Sequence, residues 1–305
     1  MIRKIFRRRL INRLLFVVPF VALLYIPFTG LAAAFAPLLG SASGFAALAG
    51  GPATGAVTCT TSTVTGDVGV VAPGTFTNTG CTITGTVDTN ATAAYADFLG
   101  AYGAIQFNPP PCDQTLTGTL AGVTLTPGVY CVDAVAKTGT LTLDAQGNAN
   151  ATWLFIVGTT GNVPTGALTG TSFTVNRIHG AESCNVYWWV AEAATMTTSF
   201  FQGTILAGAD ITTTGGTFYG DALAGGTGTT LAPTGAVTFS NSTVLACQAT
   251  GGGGSNGGGH EKDKCNQGVG NGPEGCDPGN SNNHNPSNDE GGGKPGAPGR
   301  KGGKG

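Results

Sequence analysis

Threonine at alternate positions, punctuated by glycine, is the feature that most restricts how this chain can fold. Residues 37 to 250 contain 44 threonines, set among Val, Ala and Gly in runs such as Thr82-Ile83-Thr84-Gly85-Thr86-Val87 and Leu141-Thr142-Leu143. Thr and Val suit a pleated, half-buried surface, and a period of two sends one set of side chains inward and the other outward. Glycines between the runs end each strand early. The reading is an all-β body of many short strands.

A repeat sharpens it. Phe201, Gly203, Leu206, Ala207 and Gly208 recur 17 residues later as Phe218, Gly220, Leu223, Ala224 and Gly225, while Val190 and Ala191 stand 16 before Leu206 and Ala207. A repeat of 16 to 17 residues is too short for a helical repeat or a propeller blade. It suits one coil of a β-solenoid whose three short strands form three faces, with coils stacked about 4.8 Å apart and equivalent residues aligned in ladders. One segment departs from this pattern. Residues 90–106 place Ala94, Tyr95, Phe98, Leu99 and Tyr102 at helical spacing, so a single helix laid along one face is expected.

Charge is scarce and unevenly spread. Asp, Glu, Lys and Arg make up 10% of the 305 residues, against about 25% in an ordinary soluble protein. Residues 1–36 carry six basic groups and no acidic one; residues 37–250 carry two basic groups, Lys137 and Arg177, and ten acidic ones; residues 251–305 carry six of each. A body with two cations excludes a nucleic-acid or phosphate surface.

The ends differ from the body. A cationic stretch to Arg13 precedes an apolar run from Leu14 to about Ala36, the pattern of an export signal. The run is long enough to span a bilayer, so residues 1–36 serve either as a cleaved signal, with Ala32 and Ala34 at the cleavage site, or as a membrane anchor. Both place the body outside the cytoplasm, secreted or at the cell surface. Residues 251–305, rich in Gly, Asn and Pro and with Val269 as their branched aliphatic residue, read as a disordered tail.

Eight cysteines without a C-x-x-C pair agree with an oxidising compartment. The six in the body can pair in 15 ways. Solenoid geometry brings neighbouring rungs within the 4.4–6.8 Å that a cystine needs between Cα atoms. Cys59 with Cys81 and Cys112 with Cys131 lie about one coil apart, leaving Cys184 with Cys247, and Cys265 with Cys276 would close a small loop in the tail. His260, Cys265, Cys276 and His284 match no zinc pattern with paired close ligands, and no metal or other cofactor is expected.

Catalytic patterns are sparse. His179 is the single histidine of the body and has no nucleophile motif beside it; Gly40-Ser41-Ala42-Ser43-Gly44 has Ala42 where an elbow would need serine. Asp210 and Asp221 are 11 residues apart, not one coil. The run Asp144–Asn150 lacks the later glutamate of a calcium loop and reads as a turn. The expectation is a protein that is not an enzyme. Threonine is left as the functional candidate, since ladders of Thr present methyl and hydroxyl groups at regular spacing on a face with little charge.

From Leu39 to Cys247 the body resembles the microbial ice-binding, antifreeze-like β-solenoid family. The resemblance runs through Leu39-Gly40-Ser41-Ala42 with Phe45-Ala46-Ala47-Leu48-Ala49, Val64-Thr65-Gly66-Asp67-Val68-Gly69-Val70 and Leu125-Thr126-Pro127-Gly128-Val129-Tyr130. It continues through Asn150-Ala151-Thr152-Trp153-Leu154-Phe155, Cys184-Asn185-Val186-Tyr187-Trp188-Trp189-Val190, Phe201-Gln202-Gly203-Thr204-Ile205-Leu206-Ala207 and Gly220-Asp221-Ala222-Leu223-Ala224. It implies a right-handed, three-faced β-solenoid with one long α-helix packed alongside, and a flat Thr-rich face that adsorbs to ice. Members carry a Thr-Gly/Ala-x-Thr/Asn motif on that face. Thr214-Gly215-Gly216-Thr217 fits it, Thr79-Gly80-Cys81-Thr82 fits by residue type, Thr234-Gly235-Ala236-Val237 fits in its first half, and Thr197-Thr198-Ser199-Phe200 ends in Phe200 instead. Thr197, Thr214, Thr217 and Thr234 are therefore the candidate ice contacts. The expected partner of this chain, taken as a monomer, is an ice crystal surface. The alternative is an adhesin or envelope module that presents the same rod to cell-envelope polysaccharide.

Overall fold

The computed structural model describes residues 35–51, 55–226 and 235–247. The signal or anchor, the tail, Cys265, Cys276 and Thr234 lie outside the described residues. In chain order the strands are β1 (Phe45–Ala49), β2 (Ala56–Thr60), β3 (Thr63–Thr65), β4 (Asp67–Val70), β5 (Thr75–Thr79), β6 (Thr82–Ile83) and β7 (Val87–Asp88), followed by the helix α1 (Thr92–Phe107). Then come β8 (Gln114–Leu116), β9 (Thr124–Leu125), β10 (Gly128–Val132), β11 (Lys137–Asp144), β12 (Trp153–Val157), β13 (Leu168–Ile178) and β14 (Val186–Val190). The last are β15 (Ala194–Gln202), β16 (Thr204–Ala207), β17 (Ile211–Tyr219), β18 (Ala222–Ala224), β19 (Val237–Ser240) and β20 (Thr243–Leu245).

All the strand pairings are parallel. Nine strands in the order β7-β4-β1-β18-β16-β14-β12-β10-β8 form the first face, called A. The other eleven form a second sheet that divides into faces B and C. The first half of β17 pairs with β19 and its second half with β20, and β2 and β3 stand in the same relation. Between the halves, Gly80, Thr61, Asn241, Gly215, Thr198 and Ser172 all have left-handed backbone, with φ from 47° to 76°. Pairing register stacks these six residues, so each rung turns at the same place. A β-solenoid with three faces is thus the architecture.

Register corrects one detail of the repeat. Trp189 pairs with Leu206 and Val190 with Ala207, which pair in turn with Leu223 and Ala224. The structural period through these coils is 17, and the 16-residue offset of Val190 from Leu206 is one residue out of register.

The coils do not stack in chain order. β7 and β8 are the two opposite edges of face A, and α1, the segment between them, carries the chain from one end of the rod to the other. Its 16 residues span about 24 Å at 1.5 Å each. Winding back, the final coil β18-β19-β20 lies against the first, β1-β2-β3, with Ala47 on Ala222, Val57 on Val237 and Thr63 on Thr243.

The helix covers the outer side of face A. Ala94, Phe98, Ala101, Tyr102 and Ile105 are buried in one cluster with Leu48, Leu154, Ile156, Trp189, Leu206 and Leu223, while Tyr95 and Leu99 of the expected stripe are half-buried at its margin. Trp189 donates its indole N–H to the Tyr102 carbonyl at 3.1 Å, and their rings stack at 5.0 Å. At the start of the rod, the Ser41 N–H and hydroxyl both donate to Asp97 Oδ2, at 2.8 and 2.6 Å. The rod interior holds an aromatic column: Tyr130, Phe155, Trp188, Phe201 and Phe218 follow one another with ring centroids 5.6, 3.9, 5.2 and 5.7 Å apart.

Disulfides join Cys59 to Cys81 and Cys112 to Cys131. Cys184 and Cys247 lie beside each other, within hydrogen-bond reach.

Candidate functional site: the threonine columns of face B

Six rungs of face B carry the same pattern of Thr, an inward residue, then Thr. Pairing aligns Thr77, Thr58, Thr238, Thr212, Thr195 and Thr169 in one column. Two residues on, Thr79, Thr60, Ser240, Thr214, Thr197 and Thr171 form a second. Alternation explains why both point outward: the residues between them, Cys59, Phe239, Thr213, Met196 and Gly170, are buried in the rod. The columns stand two residues apart along each strand, about 6.8 Å, and repeat about every 4.8 Å along the rod.

Chemistry on this face is uniform. None of the strand segments that build it, TFTNT, AVTCT, VTFS, ITTT, ATMT and LTGT, contains a charged residue. Among the described residues, no protein hydrogen bond occupies the hydroxyls of the six threonines in the first column or the five in the second. The result is an array of methyl groups and open hydroxyls whose backbone is held by parallel sheet on both sides.

The candidate residues divide across a corner. Thr197 and Thr214 stand side by side in the second column of face B. Thr217 does not join them. After the left-handed turn at Gly215 and Gly216, it heads a different column on face C with Thr243, Thr63 and Thr82, and its other neighbour is Phe200. A Thr-x-x-Thr block therefore puts its two threonines on two faces, and the departure at Phe200 leaves face B intact. Thr234 is outside the described residues, but Val237, at the end of its block, is buried and pairs with Ile211. That stretch precedes its strand; the block of this coil in register with Thr214–Thr217 is Ser240-Asn241-Ser242-Thr243.

Buried hydroxyls fasten the corner. The Ser62, Ser199 and Ser242 hydroxyls donate to the carbonyls of Thr60, Thr197 and Ser240, two residues back, at 2.9, 3.0 and 3.0 Å. The Ser242 N–H donates to Ser62 Oγ at 3.0 Å and the Phe173 N–H to Ser199 Oγ at 3.2 Å. These bonds tie adjacent rungs and fix the last threonine of each face B strand. Sequence reading missed Thr58, Thr77, Thr169, Thr171, Thr195, Thr212 and Thr238. The signal was available as a six-residue block, T-x-T-x-x-T, visible at 58–63, 77–82, 169–174 and 212–217.

Elsewhere, the groups considered for catalysis have structural partners. Asp144 Oδ1 accepts from the Gln146 N–H at 2.8 Å and lies 2.8 Å from His179 Nδ1. Those two hydrogen bonds, the Gln146 one first, hold the Asp144 carboxyl below the usual carboxylate range. Asp210 Oδ1 accepts from the Ala236 N–H at 2.9 Å, and Asp221 is buried at another corner.

A parallel β-solenoid with one helix along face A and a doubly Thr-laddered, uncharged face B defines a class of rod whose surface matches a repetitive ligand. The family model described as Ice-binding-like matches residues 41–245, and the chain belongs to that family. It is similar to Ice-binding protein 1 of Shewanella frigidimarina (strain NCIMB 400), 35% identical over 107 residues, which are 34% of this chain and 11% of that protein. It is also similar to an Ice-binding protein of Nostoc sp. (strain HG1), 37% identical over 134 residues, 43% of this chain and 46% of the relative. The chain thus spans about a tenth of the first and under half of the second. Among solved structures, an ice binding protein from an Antarctic Biological Consortium superposes with a TM-score of 0.59 at 32% identity, covering 70% of this chain and 93% of that one.

Proposed function

We propose that this protein adsorbs to ice through face B, with the two threonine columns as the contact surface. The observation that carries the reading is their continuity: six rungs, two columns, one Ser at Ser240 and no charge. Methyl groups at fixed spacing order the water between them, open hydroxyls anchor it, and the rigid sheet pays the entropic cost of alignment in advance. Thr197 and Thr214 are contacts; Thr217, on face C, is not one of the columns. Adsorption of this kind uses no cofactor and no turnover, and is the work of a monomer outside the cytoplasm, released or anchored by residues 1–36.

Purified protein is expected to show thermal hysteresis, to partition into a growing ice front and to inhibit recrystallisation. Absence of all three would falsify the proposal. Polysaccharide binding asks for an aromatic groove, and the exposed ring of Phe200 with Tyr219, centroids 5.4 Å apart, is on face C, away from the columns.

A further inference from the structure

A polar cluster at the corner between faces C and A has no part in adsorption. Asp221 is 1% exposed. Its Oδ1 accepts from the Cys247 N–H at 3.0 Å and its Oδ2 from the Thr204 hydroxyl at 3.1 Å. The Cys247 sulfur, 3.8 Å from Thr204 Oγ1, is within hydrogen-bond reach of both the Asp221 carboxylate and the Cys184 sulfur. Cys184 sits in the turn Ser183–Asn185, half-buried. Two thiols in contact, one of them on a buried carboxylate, form a dithiol with its own proton acceptor.

We propose that Cys184 and Cys247 are a redox pair that closes to a third disulfide, with Asp221 taking the proton of Cys247. In the first step the Cys184 thiolate attacks an exogenous disulfide, supplied by a small-molecule disulfide or an oxidoreductase of the exporting compartment. A Cys184 mixed disulfide forms and one exogenous thiolate leaves. Asp221 then accepts the Cys247 proton, the Cys247 thiolate attacks the Cys184 sulfur, and the second exogenous thiolate leaves. Two thiols are oxidised and one exogenous disulfide is reduced to two thiols. Two features favour this order. The hydrogen bond with Cys247 comes first among the causes that hold the Cys184 thiol below its ordinary value, whereas burial pushes the Asp221 carboxyl up to about 7, into the range where it exchanges a proton with a thiol. Closure fastens the end of β20, which lies between β17 and β3, to the turn before β14. The coil that joins the two halves of the rod is thereby locked.

The test uses the full chain, reduced, refolded and exposed to oxidised glutathione, with timed alkylation and non-reducing peptide mapping. A peptide linking Cys184 to Cys247 is expected beside the two disulfides already described. Cys247→Ser should hold a stable glutathione adduct on Cys184, and Cys184→Ser should leave Cys247 unmodified. Asp221→Asn should slow resolution of the Cys184 adduct by about a hundredfold, the typical contribution of a positioned acid–base group. Both thiols remaining open to alkylation while Cys59–Cys81 and Cys112–Cys131 re-form would overturn the pair. Asp221→Asn closing at the rate of the unaltered chain would overturn the role of the carboxylate. Should that variant fail to fold, an adduct on Cys247 instead of Cys184 in the unaltered chain overturns the order of attack.

Discussion

The Ser242 N–H donates to Ser62 Oγ at 3.0 Å across a sequence separation of 180 residues. This bond lies where the last coil of the rod meets the first, and it makes face B one surface. β19 is inserted between β2 and β17; without that rung, the column Thr77-Thr58 and the column Thr212-Thr195-Thr169 would be two short patches.

The columns predict which threonines matter. Thr212→Tyr puts a ring in the middle of the first column, between Thr195 and Thr238, and should cut thermal hysteresis several-fold. Thr217→Tyr, around the corner, should leave most of it. Both are surface changes, so urea unfolding should move by no more than about 0.5 kcal/mol. Equal loss from both variants would show that the active face is not B.

Gly215 and Gly216 should respond differently to substitution. At Gly215, φ is +66° and a Cβ would meet nothing nearer than Thr198 Cγ2 at 3.6 Å; Asn241 holds the equivalent place with φ +51°. Gly216 has φ +83°, and its Cβ would lie 2.2 Å from the Ser199 carbonyl oxygen. Gly215→Asn should be neutral to within about 0.5 kcal/mol, and Gly216→Ala should cost about 1–3 kcal/mol, both read from thermal unfolding.

Trp188 is the centre of the interior aromatic column, with Phe155 at 3.9 Å and Phe201 at 5.2 Å between ring centroids. Its indole N–H donates to the Gln202 carbonyl at 3.1 Å. Trp188→Ala should destabilise the rod by about 3–5 kcal/mol. Denaturant titration measures it, and a loss under 1 kcal/mol would mean that the column is loosely packed.

Lys137 is buried, its ammonium 2.6 Å from Asp133 Oδ1 and 2.9 Å from the Gly118 carbonyl oxygen. Burial raises the Asp133 pKa, but hydrogen bonds from Lys137, Gly118 and Val135 and the lysine charge outweigh it, and the carboxyl is held below its usual range. The folded pKa is the lower one, so this stabilisation is present above the unfolded carboxylate value and is lost as pH falls through the folded value. Asp133→Ala should cost about 3 kcal/mol at pH 7 by stranding the lysine, and Lys137→Met in the same chain should restore much of it.

Asp221 gives a slope of the opposite sign. Burial raises its pKa from 3.8 to about 7, so the folded chain holds a proton that the unfolded chain releases. Stability from this group is complete below the unfolded value and declines as pH rises from about 4 to about 7. In the reduced chain, urea midpoints should fall between pH 5 and pH 8, and Asp221→Asn should flatten the decline. An identical slope in the variant would place the titration elsewhere.

Much of the fold is legible in local pattern because strand alternation and glycine turns are local properties. The spacing of Phe201 and Phe218 gives the coil length, and Ala94, Phe98 and Tyr102 give the helix. The candidate site was harder. Thr214 and Thr217 look like one motif in the chain, but whether two residues three apart share a face depends on the backbone between them. Here that backbone is left-handed, at Gly215 and Gly216. The equivalent turns use Thr61, Asn241, Thr198 and Ser172, residues in which a left-handed conformation leaves no clear mark.

Composition and periodicity by themselves determined a charge-poor β-solenoid with one helix, its coil length, its family and threonine as the group it presents. Tertiary structure alone decided the order of the coils, the insertion of β19 between β2 and β17, and so the continuity of the two columns. The reason is physical. A strand's alternation sets which way its side chains point, whereas its neighbours are set by backbone hydrogen bonds between segments far apart in sequence, and parallel pairing of Thr58 with Thr238 leaves no trace within either strand.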